Sequence, residues 1–189
     1  MYRVKFADLA AGYVVAALAL TLLFGACGDS DADDAAAAIA PVTAIGDSVM
    51  LAAAAPLEAA GFEVSAEAGR QTSEALVVLE ALARQGRLRD TVVIHIGHNG
   101  PFSEEQFERF VELAGPNRRV LFLTVRVPRE WETANNDVIA AGAERHEIVS
   151  VLDFREATEG RPELFWDDAL HLRPASAAFY AAFVQDGVR

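Results

Sequence analysis

Cysteine and positive charge are both scarce in this chain of 189 residues. The single cysteine, Cys27, excludes an internal disulfide and a metal cluster built from cysteine and histidine. Lysine and arginine number 16 against 28 acidic residues, and no basic stripe alternates with aromatic side chains. This charge balance argues against nucleic acid and against anionic lipid surfaces as partners. A neutral or weakly charged substrate, such as a glycan or an ester, agrees better with the composition.

A basic start followed by an apolar run is typical of an export segment. Arg3 and Lys5 precede apolar residues that extend to Ala26, which is the pattern of a signal peptide. The sequence LFGAC, which ends at Cys27, resembles a bacterial lipobox, in which the cysteine is lipidated after cleavage. An uncleaved membrane helix is the alternative, because the run is near the minimum length that spans a bilayer. In both cases we expect residues 1–27 to anchor an extracytoplasmic protein at the membrane.

A short acidic stretch of low complexity, residues 28–40, follows this segment. Such a composition does not form a packed core, so we expect a flexible tether. Residues 41–189 are long enough for one domain with a substantial core. Apolar strands alternate there with amphipathic helices, without an internal repeat. The pattern predicts a three-layer α/β/α sandwich around a roughly five-stranded parallel sheet.

Apolar periodicity and turn residues predict where the elements lie. Strands are expected over 42–45, 62–66, 91–96, 119–127 and 147–153. Helices are expected over 73–86, 103–114 and 175–186. A loop that enters a helix is expected over 131–145, and an alanine-rich helical segment is expected after Ser48. Ser103 is the predicted N-cap of its helix. Ligands of open α/β sheets bind outside the carboxyl ends of the strands, so polar residues that directly follow strands are candidates for function.

The stretch Pro41–Ala55 places a serine at a strand-to-helix turn. Val42–Ile45 indicates a buried strand, which stops at Gly46, Asp47 and Ser48. A serine at this position lies beside the free N–H groups of a helix start, where developing negative charge is stabilised. The simpler interpretation is that Ser48 or Asp47 caps the helix. Phosphate binding at this helix start ranks last, because no lysine or glycine-rich loop accompanies it.

Later segments supply the other groups that a serine nucleophile needs. Asp168 stands three residues before His171, a spacing at which a turn sets the carboxylate against one imidazole nitrogen and leaves the other free. This spacing favours Asp168 over Asp167 as the orienting acid. Asn99, after the third strand, offers a side-chain N–H group to an oxyanion, and Gly69, after the second, offers a backbone N–H. A loop histidine and an Asn-Gly turn are the structural alternatives, but these residues converge on one sheet edge.

Together these residues resemble the four ordered blocks of SGNH/GDSL hydrolases. The blocks are Gly46-Asp47-Ser48, Gly69, Gly97-x-Asn99 and Asp168-x-x-His171. The match covers residues 41–189. Within the superfamily, this region resembles the extracytoplasmic SGNH domains of acyltransferase membrane proteins such as peptidoglycan O-acetyltransferases. The segments that carry this finer resemblance are IGDSVM, AGRQ, HIGHNGP and VPREWE followed by Asn135 and Asn136.

The resemblance implies ester chemistry through an acyl-serine intermediate, with no cofactor and no metal. It implies that Ser48 is the nucleophile, His171 the base and Asp168 the orienting acid. The N–H groups of Ser48 and Gly69 and the side chain of Asn99 would then form the oxyanion hole. The expected enzyme hydrolyses or transfers an O-acyl group, expected to be O-acetyl, of a cell-envelope glycan. With one hydrophobic segment in the chain, transfer would need a separate multi-spanning acyl-donor protein. A non-catalytic glycan-binding envelope lipoprotein is the alternative.

Five further residues are candidates for substrate contact: Asp47, Arg70, His98, Arg126 and Trp131. His98 stands where the related domains usually have threonine. We expect it to face solvent from a loop, and a second functional imidazole is the alternative. Trp131 is equally compatible with stacking on a sugar and with anchoring in the core. His95 is expected to be a satisfied core histidine and His146 a surface residue.

Overall fold

Five parallel strands form the centre of the computed structural model, which describes residues 41–189. The strands are β1 (Val42–Gly46), β2 (Phe62–Ala66), β3 (Thr91–His95), β4 (Arg119–Leu123) and β5 (Val149–Leu152). They pair in the order β2-β1-β3-β4-β5, so the chain crosses from one side of β1 to the other between β2 and β3. The predicted three-layer α/β/α architecture is confirmed.

Helices cover both faces of the sheet. They are α1 (Ser48–Leu51), α2 (Ala54–Ala59), α3 (Thr72–Arg84), α4 (Glu104–Ala114), α5 (Glu132–Arg145), α6 (Phe154–Ala157) and α7 (Ala177–Val188). The first two helices and the last two pack on one face, and α3, α4 and α5 pack on the other. Short 3₁₀ turns at Pro162–Leu164 and Pro174–Ser176 frame the long segment between α6 and α7.

Alternation along the strands divides the core into two apolar clusters, because successive side chains point to opposite faces. In β3, Val93 belongs to the cluster that contains Tyr180 of α7, whereas Val92 belongs to the cluster that contains Phe107 of α4. A close helix contact completes the second cluster. A Cβ atom at Gly142 of α5 would lie 2.3 Å from the ring of Phe107, so glycine is required for α5 to approach α4 this closely.

Two elements differ from their predicted form. The alanine-rich segment after Ser48 is divided into α1 and α2 in place of one continuous helix. The fourth strand ends at Leu123, although the apolar run predicts strand as far as Val127. Side chains of α5 take over the backbone bonds there: Asn136 bonds both the N–H and the carbonyl of Val125, and Glu132 accepts the N–H of Val127.

The predictions for the N-terminus concern residues that the structure does not describe. The export or anchor segment 1–27, its lipidation site Cys27 and the tether 28–40 lie outside the described residues and stay predictions. Across residues 41–189, none of the helices is both long and apolar enough to span a membrane.

Candidate active site

A chain of two hydrogen bonds joins a serine, a histidine and an aspartate at the carboxyl edge of the sheet. The Oγ atom of Ser48 lies 3.0 Å from Nε2 of His171. The Nδ1 atom of the same ring lies 2.8 Å from Oδ2 of Asp168. Because a carboxylate only accepts, Nδ1 carries the proton, and the lone pair of Nε2 accepts the hydroxyl proton of Ser48. The three residues predicted to act together are therefore adjacent in the fold.

The loop that carries Asp168 and His171 is closed on itself. The second carboxylate oxygen of Asp168 accepts the backbone N–H groups of Leu170 and His171, each at 3.0 Å. The N–H of Trp166 donates to the carbonyl of His171 at 2.8 Å. Ala169 takes up the tight turn between acid and base with a left-handed φ of 56°. The acid thus fixes both the ring of His171 and the backbone that carries it.

Hydrogen bonds keep the orienting acid ionised. The bond from His171, followed by those from the N–H groups of Leu170 and His171, lowers the pKa of Asp168 to about 2. The side chains of His171 and Asp168 are 45% and 48% exposed, so the pair is open to solvent and to a substrate. An ionised Asp168 would stabilise the imidazolium if His171 took a proton.

The turn that holds Ser48 is built by its neighbours. The side chain of Asp47 accepts the N–H of Val49 at 3.1 Å and caps α1, which starts at Ser48. Asp47 is thus the cap, and the interpretation of Ser48 as the cap is wrong. A Cβ atom at Gly46 would lie 2.4 Å from Cβ of Met50, so this tight turn requires glycine. The hydroxyl of Ser48 is left available to His171.

The predicted oxyanion donors follow three adjacent strands. Gly46 of β1 is in register with Ala66 of β2 and with His95 of β3, so the segments that continue to Ser48, Gly69 and Asn99 leave the sheet at one edge. Within residues 41–189, the backbone N–H groups of Ser48 and Gly69 donate no backbone hydrogen bond. One N–H of the Asn99 amide donates to the carbonyl of Arg70 at 3.2 Å, and its second N–H remains for an oxyanion.

Arg70 connects these three segments. Its buried guanidinium donates to the carbonyl of Gly46 at 3.1 Å and to that of Ser65, and its own carbonyl accepts from Asn99. The sequence AGRQ predicts a polar loop in contact with substrate. The structure gives Arg70 a structural contact instead, because the ends of β1 and β2 leave carbonyl groups that it satisfies.

A second organising residue, Asn135 of α5, has no role predicted from the sequence. Its buried amide donates to the carbonyls of Gly97 and Gly100 at 2.9 and 3.0 Å and accepts the N–H of Phe102 at 2.7 Å. The loop that presents Asn99 is therefore held from a helix some thirty residues later in the chain. The local sequence does not predict this contact, because a single asparagine is common in helices.

His98 is the clearest departure from prediction. The expectation of a solvent-facing loop residue is wrong, because the side chains of His98 and Asp47 are both 0% exposed. They bond to each other, with Nδ1 of His98 lying 2.8 Å from Oδ2 of Asp47. Burial places both out of reach of a substrate. The neighbouring His95 is, as predicted, a satisfied core histidine, bonded to Tyr180 and to the carbonyl of Thr124.

Arg126 and Trp131 lie in the segment after β4. The guanidinium of Arg126 stacks on the ring of Phe165, 4.1 Å from its centroid, and reaches the carbonyl of Ala169 at 3.4 Å. Arg126 also lines a cavity of about 390 Å³ together with Trp166 and residues of the loop beside the triad. The indole N–H of Trp131 donates to the carbonyl of Gly97 at 3.2 Å, so this ring anchors the Asn99 loop.

Known proteins are similar to this chain in sequence and in fold, although no protein-family profile matches it. OatA of Listeria monocytogenes, a peptidoglycan O-acetyltransferase, is 30% identical over 148 residues, 77% of this chain and 24% of the relative. The O-acetyltransferase OatA of Staphylococcus aureus is 29% identical over 119 residues, 61% of this chain and 19% of the relative. The chain spans about a quarter or less of the length of these curated relatives.

Solved structures agree with the sequence relatives. The C-terminal catalytic domain of OatA from Streptococcus pneumoniae superimposes with a TM-score of 0.68 at 22% identity, covering 78% of this chain and 91% of that domain. A GDSL-like lipase from Bacteroides thetaiotaomicron gives a TM-score of 0.59 at 16% identity, covering 78% and 87%. At these identities the likeness concerns the fold. By sequence the chain is similar to peptidoglycan O-acetyltransferases, and its fold is that of the SGNH/GDSL hydrolases; its relatives in both comparisons are enzymes.

Proposed function

We propose that residues 41–189 are the catalytic domain of an extracytoplasmic serine esterase or acyltransferase. Its substrate would be an O-acetyl group of a cell-envelope glycan, in keeping with the peptidoglycan O-acetyltransferases that it resembles. The observation that carries the proposal is the chain of hydrogen bonds from Ser48 through His171 to Asp168, in which His171 and Asp168 are open to solvent. Such an arrangement removes the proton of a serine hydroxyl as the oxygen attacks an ester.

In the first half-reaction, Oγ of Ser48 attacks the carbonyl carbon of the ester while its proton passes to Nε2 of His171. The carbonyl oxygen becomes an oxyanion, which the N–H groups of Ser48 and Gly69 and the amide of Asn99 would stabilise. The bond from carbon to the alcohol oxygen then breaks, and His171 returns its proton to that oxygen. The products are a free hydroxyl and an acetyl ester on Ser48.

In the second half-reaction, an acceptor hydroxyl gives its proton to His171 and its oxygen attacks the acetyl carbon. The bond to Ser48 Oγ breaks, and the proton returns to Ser48. With water as acceptor the product is acetate, and with a sugar hydroxyl it is a new O-acetyl ester. For transfer, we propose that a separate multi-spanning membrane protein supplies the acetyl group.

The proposed acceptor side is the cavity beside the triad loop. Trp166 is 48% exposed, and the guanidinium of Arg173 lies 4.8 Å from the centre of its ring. An exposed aromatic face beside arginine donors suits the apolar face and the hydroxyl groups of a sugar. Trp131 is less suited to this task, because its N–H is engaged by Gly97. We therefore propose Arg126 and Trp166 as the residues that contact the glycan.

The test is acetylation of the full chain, purified in detergent and incubated with p-nitrophenyl acetate. We expect release of p-nitrophenol and an acetyl group on Ser48 by mass spectrometry, both lost in Ser48→Ala. Ser103→Ala is the matched control and should keep its activity, because the Ser103 hydroxyl caps α4 by accepting the N–H of Gln106 and is not bonded to the triad. An adduct on another residue would overturn the assignment, and release equal in wild type and Ser48→Ala would support a non-catalytic glycan-binding lipoprotein.

Assays with glycan acceptors then distinguish acetyl transfer from hydrolysis. With chitooligosaccharide or muropeptide acceptors, we expect Trp166→Ala to raise KM for the acceptor about 3- to 10-fold, the loss of one aromatic contact. The same variant should leave the KM for p-nitrophenyl acetate unchanged, because that small ester does not reach the cavity. An acceptor KM in Trp166→Ala equal to that of wild type would remove the cavity from the proposal.

A further inference from the structure

A buried histidine–aspartate pair lies directly beneath the proposed nucleophile. Oδ1 of Asp47 accepts the N–H of Val49 at 3.1 Å, and its Oδ2 lies 2.8 Å from Nδ1 of His98. Neither side chain is exposed. Since Asp47 directly precedes Ser48, its carboxylate ties the start of α1 to the loop that follows β3. The mechanism proposed above makes no use of this pair.

Two neutral groups enclose the pair. Nε2 of His95 lies 3.2 Å from the carbonyl of Thr124, so it carries a proton, and Nδ1 accepts the hydroxyl of Tyr180 at 2.7 Å. Burial, with repulsion from His98, lowers the pKa of His95 to about 3. Burial and the charge of Asp47 raise the pKa of Tyr180 well above its ordinary value. Neither group exchanges protons near neutral pH.

Asp47 depends on His98 for its charge. Burial acts to raise the pKa of Asp47, but attraction to His98 and the hydrogen bond from that ring, with smaller contributions from His95 and the Val49 N–H, outweigh it, so the pKa lies below its ordinary value. Removal of the His98 donor would leave burial as the dominant influence and raise the pKa of Asp47. A protonated or displaced Asp47 would no longer hold the turn in the same way.

We propose that His98 is a positioning residue that, through Asp47, holds Ser48 in line with His171 and fixes the Ser48 N–H for the oxyanion. This inference rests on the proposed function of the triad. The far nitrogen, Nε2 of His98, is buried without a hydrogen-bond partner in the part of the chain that the structure describes. Only the Nδ1 donor of His98 is therefore needed to hold Asp47. A side-chain amide whose N–H occupies the position of Nδ1 should serve in place of the imidazole.

The experiment compares His98→Asn with His98→Gln in the full chain, assayed with p-nitrophenyl acetate. The asparagine N–H₂ group lies near the position of Nδ1, whereas that of glutamine lies near the position of Nε2. We expect His98→Asn to keep kcat within about 3-fold of wild type and His98→Gln to lose about 10- to 100-fold, the cost of a displaced reacting group. KM should be the same in both variants, because His98 does not contact substrate.

The dependence of kcat/KM on pH separates positioning from general damage. In His98→Gln we expect an added ionisation on the acid side, as Asp47 titrates closer to neutral pH, and none in His98→Asn. If His98→Gln does not fold, Asp47→Ser carries the test: serine still caps α1 but does not reach His98, so kcat should fall about 10-fold. His146→Asn is the control, since His146 pairs with Glu108 away from the site.

Equal kcat for His98→Asn and His98→Gln, with one pH profile, would overturn the inference. So would wild-type kcat in Asp47→Ser. Either result would leave the proposed function intact as long as Ser48→Ala remains inactive. Conversely, activity that persists in Ser48→Ala would overturn the proposed function itself, whatever the His98 variants do.

Discussion

Two histidine–aspartate pairs of this protein share one geometry and differ in their surroundings. In both, Nδ1 of the histidine lies 2.8 Å from Oδ2 of the aspartate. The pair of His171 and Asp168 lies in a surface loop, with nearly half of each side chain exposed. The pair of His98 and Asp47 is fully buried under the Ser48 turn. The far nitrogen of His171 reaches Ser48, and that of His98 reaches no hydrogen-bond partner within residues 41–189.

The comparison shows that contact geometry alone does not decide what such a pair does. An exposed pair contributes little to stability, because water screens its charges, but its histidine can take up and release protons during a reaction. A buried pair cannot exchange protons readily, and loss of one partner leaves an uncompensated charge in the core. The exposed pair is therefore suited to chemistry and the buried pair to structure.

The largest expected effect on activity is that of His171→Ala. Loss of the base should lower kcat for p-nitrophenyl acetate by about 10³-fold or more. Because the ring is half-exposed, the midpoint of thermal unfolding should stay close to that of wild type. Steady-state kinetics and a thermal melt on one preparation give both values. A marked loss of thermal stability would show that the exposed pair also has a structural role.

The next effect is that of Asp168→Asn. The amide would donate toward Nδ1 of His171 and move the ring proton to Nε2, so kcat should fall about 10²- to 10³-fold. The pKa of Asp168 is about 2, below its ordinary value, so its stabilising effect is present above pH 4 and declines as the pH falls toward about 2. Acid inactivation of the wild type at pH values well above this range must come from another group. A pH–rate profile between about pH 4 and 9 checks this.

For stability, the largest effect should come from the buried pair. His98→Leu leaves the Asp47 carboxylate in the core with the N–H of Val49 alone, and we expect the free energy of unfolding to fall by about 3 kcal/mol. The raised pKa of Asp47 lets it bind a proton in the folded state, so the loss should be smaller at about pH 5 than at pH 8. Urea denaturation at both pH values measures it. A loss that does not vary with pH would indicate a packing defect.

The smallest effect is expected at a third histidine–carboxylate contact. His146 bonds Glu108 through Nε2 at 2.8 Å. Its side chain is 28% exposed, its ring lies beside that of Phe107, and it is not part of the triad. His146→Asn should change the free energy of unfolding by less than about 0.5 kcal/mol and leave kcat unchanged. Urea denaturation of His146→Asn and His98→Leu under the same conditions compares the two losses of unfolding free energy directly. A change as large as that of His98→Leu would break the distinction between buried and exposed pairs.

Patterns along the chain could predict the exposed pair but not the buried one. Asp168 and His171 are three residues apart, and Ser48 directly follows a strand, so local sequence and the rule for strand ends bring them together. His98 lies in a glycine-rich loop that local composition places in solvent. It is buried because Asn135, far along the chain, holds that loop, and because Asp47 accepts a hydrogen bond from its Nδ1. Contacts of this kind depend on tertiary packing.

Tertiary contacts also explain why Arg70 is buried and why β4 ends earlier than predicted. Arginine in a short polar loop predicts exposure, yet the carbonyls of Gly46 and Ser65 require a donor at that point of the sheet edge. The apolar run through Val127 predicts more strand than forms, because Asn136 and Glu132 of a later helix take the backbone bonds. In both cases the local sequence favours the predicted form, and contacts with residues distant in the chain produce a different one.

The closed loop between Trp166 and His171 has a mechanical consequence. Asp168 and His171 are carried by one short segment whose ends are joined by the bond from the Trp166 N–H to the His171 carbonyl, whereas Ser48 is the first residue of α1, just after β1. A displacement of that segment as a unit would keep the contact between Asp168 and His171. It would change the distance from His171 to Ser48 and the contact of Arg126 with the Ala169 carbonyl.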